Sequence, residues 1–179
     1  LFIIIHMGNT LNIQKEKLAE LLLKRKKCSC SQGKYSINND KIIGSGELSD
    51  VYYCNDKHNN NFAIKKIKSN SLCLSTLNRL NEEAKILNEI SQINKFKQRF
   101  VQLQDGYIDK DGGICIVTNY IKGYELIEFT EEFPTGVPEY ITKILMKQIL
   151  EAIQVLHNNN IAHLDLKLEN IMYNTKTNE

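Results

Sequence analysis

The chain has 179 residues, 42% of them hydrophobic, which suits one domain of ordinary size with a buried core and excludes a chain disordered throughout. Its 23 basic and 21 acidic residues leave a net charge of +2, too balanced for the concentrated basic face of a nucleic-acid binder, so no nucleic-acid partner is expected. The five cysteines, Cys28, Cys30, Cys54, Cys73 and Cys115, are odd in number and include no C-x-x-C pair; this excludes an evident disulfide framework or zinc site and fits reduced thiols in a cytoplasmic protein.

Asn, Lys and Ile supply 63 residues, a usage that AT-rich codons produce. The opening Leu1-Phe2-Ile3-Ile4-Ile5-His6 has no initiating Met and reads as translated flanking sequence ahead of a start at Met7. Its apolar run is too short for a membrane span or a signal peptide. Residues 10–27 carry Leu11, Leu18, Leu21 and Leu22 at helical spacing and end in Lys24-Arg25-Lys26-Lys27, an amphipathic helix outside the main core. With Met7 as the start, Gly8 stands where a myristoyl chain attaches, and Cys28 and Cys30 beside the basic cluster are candidates for palmitoylation, although Asn12 stands where that pattern prefers Ser or Thr. A weak peripheral membrane contact through residues 8–30 is therefore the alternative to a plain solvated helix.

From Tyr35 the pattern turns to short β-prone runs. Ile37–Ile43 leads into Gly44-Ser45-Gly46-Glu47-Leu48-Ser49-Asp50-Val51, and the chain returns through Tyr52-Tyr53-Cys54. A strand, a glycine loop and a returning strand let backbone N–H groups approach phosphate, because glycine has no side chain to block them. An Asn-rich turn follows, then Phe62–Lys68, whose alternation puts Ala63, Lys65 and Ile67 on one face. The next element is a helix with Leu77, Leu80, Leu87 and Ile90 along one stripe and Glu83 in its middle. A carboxylate inside an apolar stripe needs a cation, and Lys65 is the obvious one.

Two further strands, Phe100–Ile108 and Ile114–Ile121, flank the turn signal Asp109-Lys110-Asp111-Gly112-Gly113. Pro138 opens a long helix with Ile141, Ile144, Leu145, Gln148, Ile149, Ala152, Ile153 and Leu156 on one face, closed near the Asn run at 158–160. It delivers the chain to Ile161-Ala162-His163-Leu164-Asp165-Leu166-Lys167-Leu168-Glu169-Asn170-Ile171-Met172-Tyr173. There an Asp, a Lys and an Asn sit in an apolar frame beside a His, and such groups are buried together only when each finds a partner or a ligand.

These segments resemble the eukaryotic protein kinase family over about residues 35–174. His163-Leu164-Asp165-Leu166-Lys167-Leu168-Glu169-Asn170 is similar to the catalytic loop H-R-D-x-K-x-x-N, with Leu164 in place of Arg, and Lys two positions after Asp is the serine/threonine form. Residues 44–51 resemble G-x-G-x-x-G-x-V with Ser49 for the third Gly, Phe62-Ala63-Ile64-Lys65-Lys66 the strand-three motif, and Glu83-Ala84-Lys85-Ile86-Leu87 the helix-C motif. The resemblance implies an α+β fold: a small antiparallel-sheet N-lobe with one helix (35–118), a hinge (119–123) and a truncated, mainly helical C-lobe (124–179), after a basic extension at 1–34.

The implied activity is transfer of the ATP γ-phosphate to Ser or Thr of a protein substrate, with ATP and Mg2+ as cofactors. Asp165 would accept the hydroxyl proton, Lys167 neutralise the transferring phosphoryl group and Asn170 hold magnesium. Ile43, Gly44, Ser45, Gly46, Glu47, Leu48, Ser49 and Val51 would form the roof over the nucleotide, and Ala63 and Met172 would sandwich the purine with Ile43 and Val51. Lys65, braced by Glu83, would hold the α- and β-phosphates. Thr118 is the implied gatekeeper, Asn119 and Ile121 meet the adenine edge through their backbone, and Glu125 reaches the ribose.

The family places D-F-G roughly a dozen residues after the loop Asn, and the sequence stops at Glu179, so the chain reads as an incomplete domain that is itself inactive. With Leu164 for Arg, control through activation-loop phosphate is expected to be missing. A non-catalytic pseudokinase, or a half-domain binding nucleotide or a partner, is the alternative; retention of Lys65, Glu83, Asp165 and Asn170 argues against it. A small-molecule kinase with a similar lobe is disfavoured by Lys167 and the glycine loop together.

Overall fold

The computed structural model describes residues 2–3, 34–46, 49–67, 74–93, 95, 97–109 and 113–175. Along the chain the elements are β1 (Phe2–Ile3), β2 (Tyr35–Ser45), β3 (Ser49–Asp56), β4 (Asn61–Ile67), α1 (Leu74–Gln92), a 3-10 turn (Lys97–Arg99), β5 (Leu103–Ile108), β6 (Ile114–Asn119), β7 (Gly123–Glu125), α2 (Leu126–Glu131), α3 (Glu139–Asn158), a second 3-10 turn (Leu168–Asn170) and β8 (Ile171–Asn174). They fall into two compact units, one of residues 9–85 and 102–120, the other of residues 1–8, 86–101 and 121–179. The expected helix at 10–27, Gly8, Cys28, Cys30 and Cys73 lie outside the described residues. Among the described residues no helix is long and apolar enough to cross a membrane.

The first unit is an antiparallel sheet in the order β2-β3-β4-β6-β5. Cross-strand partners share a face, so the register divides the side chains cleanly. Cys54, Ile64, Cys115 and Val117, all fully buried, form a core on one face with Tyr35, Ile37, Phe62 and Tyr107. The opposite face carries Val51, Ala63, Lys65, Ile67, Ile116 and Thr118. The two edge strands come together: Tyr35 of β2 stacks on Tyr107 of β5 with ring centroids 6.2 Å apart, and its hydroxyl donates to Asp105 Oδ2 at 3.1 Å. Lys34 pairs with the same carboxylate. The sheet is thus curled enough for side chains of its two edge strands to touch, as the strand twist favours.

The β3–β4 turn is built by Asp56, whose Oδ1 accepts the N–H groups of His58 and Asn60 at 2.8 and 2.9 Å. These bonds, that from the Asn60 side chain foremost, hold its carboxyl below the usual range. Asn59 takes φ 60°, which Asn tolerates better than most residues. On α1 the buried positions Leu80, Ala84, Leu87 and Ile90 keep helical spacing; the side chain of Leu77 is outside the description.

In the second unit Ile90, Phe100, Ala152, Val155, Leu156 and Ile161 make one core, and Leu126, Phe129, Ile149 and Ile171 another. The strand expected from Phe100 begins only at Leu103. Phe100 is instead a fully buried anchor after the Lys97–Arg99 turn, whose Arg99 pairs with Glu151 of α3 at 3.4 Å. Pro138 caps α3 rather than opening it, and the helix closes where Asn160, at φ 58°, lets Ile161 N–H reach back to the Leu156 carbonyl at 2.9 Å. Of the expected apolar stripe, Ile144 is 56% exposed, while Val155, outside that stripe, is buried. Of the opening hexapeptide only Phe2 and Ile3 are described, as a strand registered against Met172 and Ile171 in a sheet of order β1-β8-β7.

Candidate active site

In the first unit the register sets Val51 and Ile116 on either side of Lys65, and Tyr53 and Thr118 on either side of Ala63. Lys65 Nζ lies 2.7 Å from both carboxylate oxygens of Glu83. The two side chains are only 20% and 13% exposed, so each charge sits where it needs the other. Lys66, one residue on, belongs to the opposite face and reaches Asp109 Oδ2 at 2.7 Å. The pattern of alternation thus gives two adjacent lysines two different partners.

The glycine loop is a hairpin closed by Gly46 N–H to the Ser49 carbonyl, 2.9 Å. Ser45 Oγ donates to Asp50 Oδ1 at 2.6 Å. Between Ile42, registered on Tyr52, and Gly44, registered on Val51, β2 carries one extra residue, Ile43, a bulge that releases it from the ladder. Ile42 and Ile43 are 52% and 39% exposed. A Cβ added at Gly44 or Gly46 would meet nothing nearer than 3.6 and 3.7 Å, and neither glycine has a left-handed φ. The chain's own packing therefore demands glycine at neither position, and a small residue there suits something that approaches from outside. Glu47 and Leu48 lie outside the described residues. At the end of β6, Asn119 is tied to Gln102 twice: its Oδ1 accepts Gln102 N–H at 2.6 Å and its N–H donates to the Gln102 carbonyl at 3.2 Å.

In the second unit Ile121 is buried, and β7 pairs with β8 so that Glu125 stands opposite the half-buried Met172. Burial, with Glu128 and Glu169 adding repulsion, raises the carboxyl of Glu125 above its ordinary range. Gly123 is a glycine the fold does require: a Cβ there would come within 1.8 Å of the Tyr173 carbonyl oxygen.

The loop at 163–170 is organised around Asp165. Asn170, 5% exposed, donates its Nδ2 to the Asp165 carbonyl at 2.8 Å and to Asp165 Oδ2 at 2.9 Å. Both partners are acceptors, which fixes the orientation of the carboxamide and directs its Oδ1 away from Asp165. Lys167 Nζ lies 3.4 Å from the same Oδ2. The Asp165 N–H donates to the His163 carbonyl at 2.7 Å, a tight turn with Leu164 at its centre. His163 is buried, whereas Leu164 is 70% exposed at φ 56°. A left-handed leucine costs about 1 kcal/mol. Nothing about a leucine signals such a conformation, so the sequence did not disclose it, although the motif around it was legible.

An oxygen-donating carboxamide beside a carboxylate and an ammonium suits a hard cation and a phosphoryl group, and glycines free of internal demands suit a phosphate chain. Residues 37–179 match the protein kinase domain family. The chain is 31% identical over 140 residues to myosin light chain kinase family member 4 of Homo sapiens, covering 77% of this chain and 34% of that protein. It is 28% identical over 134 residues to the probable serine/threonine-protein kinase 2 of Plasmodium falciparum, covering 74% and 24%. To cyclin-dependent kinase-like 5 of Mus musculus it is 31% identical over 135 residues, covering 73% and 13%. The chain thus spans about a third or less of the length of these curated relatives, and across that span, with its α+β architecture, it belongs to the protein kinase domain family.

Proposed function

We propose that the protein is a serine/threonine kinase that uses ATP and Mg2+ to phosphorylate protein hydroxyls, and that residues 35–179 form part of its kinase domain behind an extension at 1–34. The observation that carries this reading is the arrangement at Asp165. Its Oδ2 receives Asn170 Nδ2 at 2.9 Å and stands 3.4 Å from Lys167 Nζ, and the carboxylate they orient serves as proton acceptor for an incoming hydroxyl. Bound MgATP supplies the phosphoryl group. Asn170 Oδ1 is the atom offered to magnesium, and Lys167 stabilises negative charge developing on the transferred group.

Lys65, held by both oxygens of Glu83, presents its ammonium to the α- and β-phosphates. Gly44, Ser45, Gly46, Glu47, Leu48 and Ser49 supply the loop above them. Since the Gly46 N–H is already bonded to Ser49, the phosphate contacts fall to later amides of the loop. Ile43 and Val51 with Ala63 and Met172 enclose the purine, Thr118 limits its depth, and Glu125 takes the ribose. The Asn119 N–H is bonded to Gln102, so Asn119 meets adenine through its carbonyl and Ile121 through its N–H.

The test is magnesium-dependent phosphorylation by the product of the full-length transcript, with Ser, Thr and Tyr peptides as acceptors. Ser and Thr are expected to react, and Asp165→Asn to lower the rate about 10²- to 10⁴-fold. Undiminished transfer by that variant would sink the assignment.

A further inference from the structure

Ser45 and Asp50 are the last registered pair of β2 and β3 before the glycine loop, and the hydroxyl donates to the carboxylate at 2.6 Å, a charge-assisted bond. Val51 shares the Lys65 face, so its neighbour Asp50 belongs to the opposite face, with Tyr52 and Cys54 next to it across the strand alternation. On the same rung Asp50 is registered opposite Lys66 of β4, whose ammonium reaches Asp109 Oδ2 at 2.7 Å. Asp109 in turn holds the entry to β6: its Oδ1 accepts Gly113 N–H at 2.6 Å and its own N–H donates to the Gly113 carbonyl at 2.8 Å. A row of polar side chains therefore runs from the neck of the glycine loop to the β5–β6 turn on the face away from Lys65.

We propose that Ser45 and Asp50 are a positioning pair for nucleotide phosphates, a role that rests on the kinase reading above. They pin the loop's neck from behind, so that Gly44 and Val51 on the other face keep a fixed backbone while the phosphates approach. The pin matters in this chain because Ser49 occupies the third-glycine position, where a side chain narrows the conformations open to the loop. The side chains of the pair bond to each other on the face away from Lys65, so they act through the backbone they hold.

The experiment compares MgATP and adenosine binding to the whole chain by calorimetry for the parent, Ser45→Ala, Ser45→Thr, Asp50→Ala and the Ser45→Ala/Asp50→Ala double variant. Ser45→Ala and Asp50→Ala are each expected to weaken MgATP about fivefold, with adenosine changed less than about twofold. Ser45→Thr keeps the hydroxyl and the parent affinity, and the double variant is no weaker than either single one. Equal loss of both ligands, single losses that add, or unchanged MgATP binding in Ser45→Ala overturns the proposal. If the parent binds neither ligand, the phosphate role is overturned for this chain, while the kinase reading stands or falls on the transfer assay of the full-length product. Exchange of the Gly46 amide then decides whether the pin exists: about fivefold faster exchange in Ser45→Ala keeps it, and unchanged exchange removes it.

Discussion

Replacing Glu83 by Leu would leave the Lys65 ammonium, on a side chain 20% exposed, facing an apolar group in place of two carboxylate oxygens at 2.7 Å. Breaking a fully buried ion pair from one side destabilises by about 3–5 kcal/mol, because the remaining charge has no compensation. Here both side chains keep some contact with water, and screening reduces that to about 2 kcal/mol. Lys65→Met should lose a similar amount, since Glu83 is 13% exposed and is stranded in its turn. The Lys65→Met/Glu83→Leu double variant has two apolar groups meeting where two charges met, and should return to within about 1 kcal/mol of the parent. Urea unfolding of the four proteins gives the coupling energy, expected at about 3–4 kcal/mol. Singles that each lose less than about 0.5 kcal/mol, or a double variant whose loss is their sum, would refute the reasoning. The double variant also separates stability from the proposed nucleotide role of the pair, because it should regain stability while still failing to bind MgATP.

Gly123→Ala should destabilise by about 2–4 kcal/mol, because its Cβ would sit 1.8 Å from the Tyr173 carbonyl oxygen and the β7–β8 ladder must open. Gly44→Ala, with its nearest contact at 3.6 Å, should stay within about 0.5 kcal/mol of the parent in the same denaturation assay. Asn170→Ala removes the donors to the Asp165 carbonyl and carboxylate and should lower stability by about 1–3 kcal/mol, read by thermal unfolding. Burial pushes the thiols of Cys54 and Cys115 up to about 11, so neither should be alkylated by iodoacetamide at pH 8 until the sheet unfolds, as peptide mapping would report. Glu125 has its carboxyl raised in the fold, so the native state binds that proton more tightly than the unfolded chain does. Its ionisation therefore opposes folding at neutral pH, and the penalty fades as pH falls through the carboxylate range. Glu125→Gln should accordingly be more stable than the parent near pH 7, by a margin that shrinks toward about pH 4 in a pH series of melts.

What was legible in the sequence was whatever two local rules express together: side-chain period, and the need of a charge for a partner. Lys65 between apolar neighbours on a strand and Glu83 inside the stripe of a helix each violate their element's pattern, and the two violations cancel in one bidentate pair. Asp165 and Asn170 are similar in that Asn170 does donate twice to Asp165, but the apolar frame does not bury the cluster: Leu166 and Leu168 are exposed, and the Asp165 and Lys167 side chains are about half exposed. Features set by distant packing left no such mark. Ile144 keeps helical spacing yet is 56% exposed, because spacing names a face without saying how wide a strip of it other elements cover. Phe100 reads as the start of a strand, but its value is as a buried anchor against α3, a contact with residues some fifty positions away. Leu164 carries no trace of its left-handed φ, because the turn belongs to the hydrogen bond between its neighbours. Strain of this kind persists only where surrounding contacts over-determine it, and here those contacts are the buried His163 on one side and the Asn170-bonded Asp165 on the other. Leu164, which stands where the family pattern has Arg, is thus held at its φ of 56° between two neighbours that match that pattern.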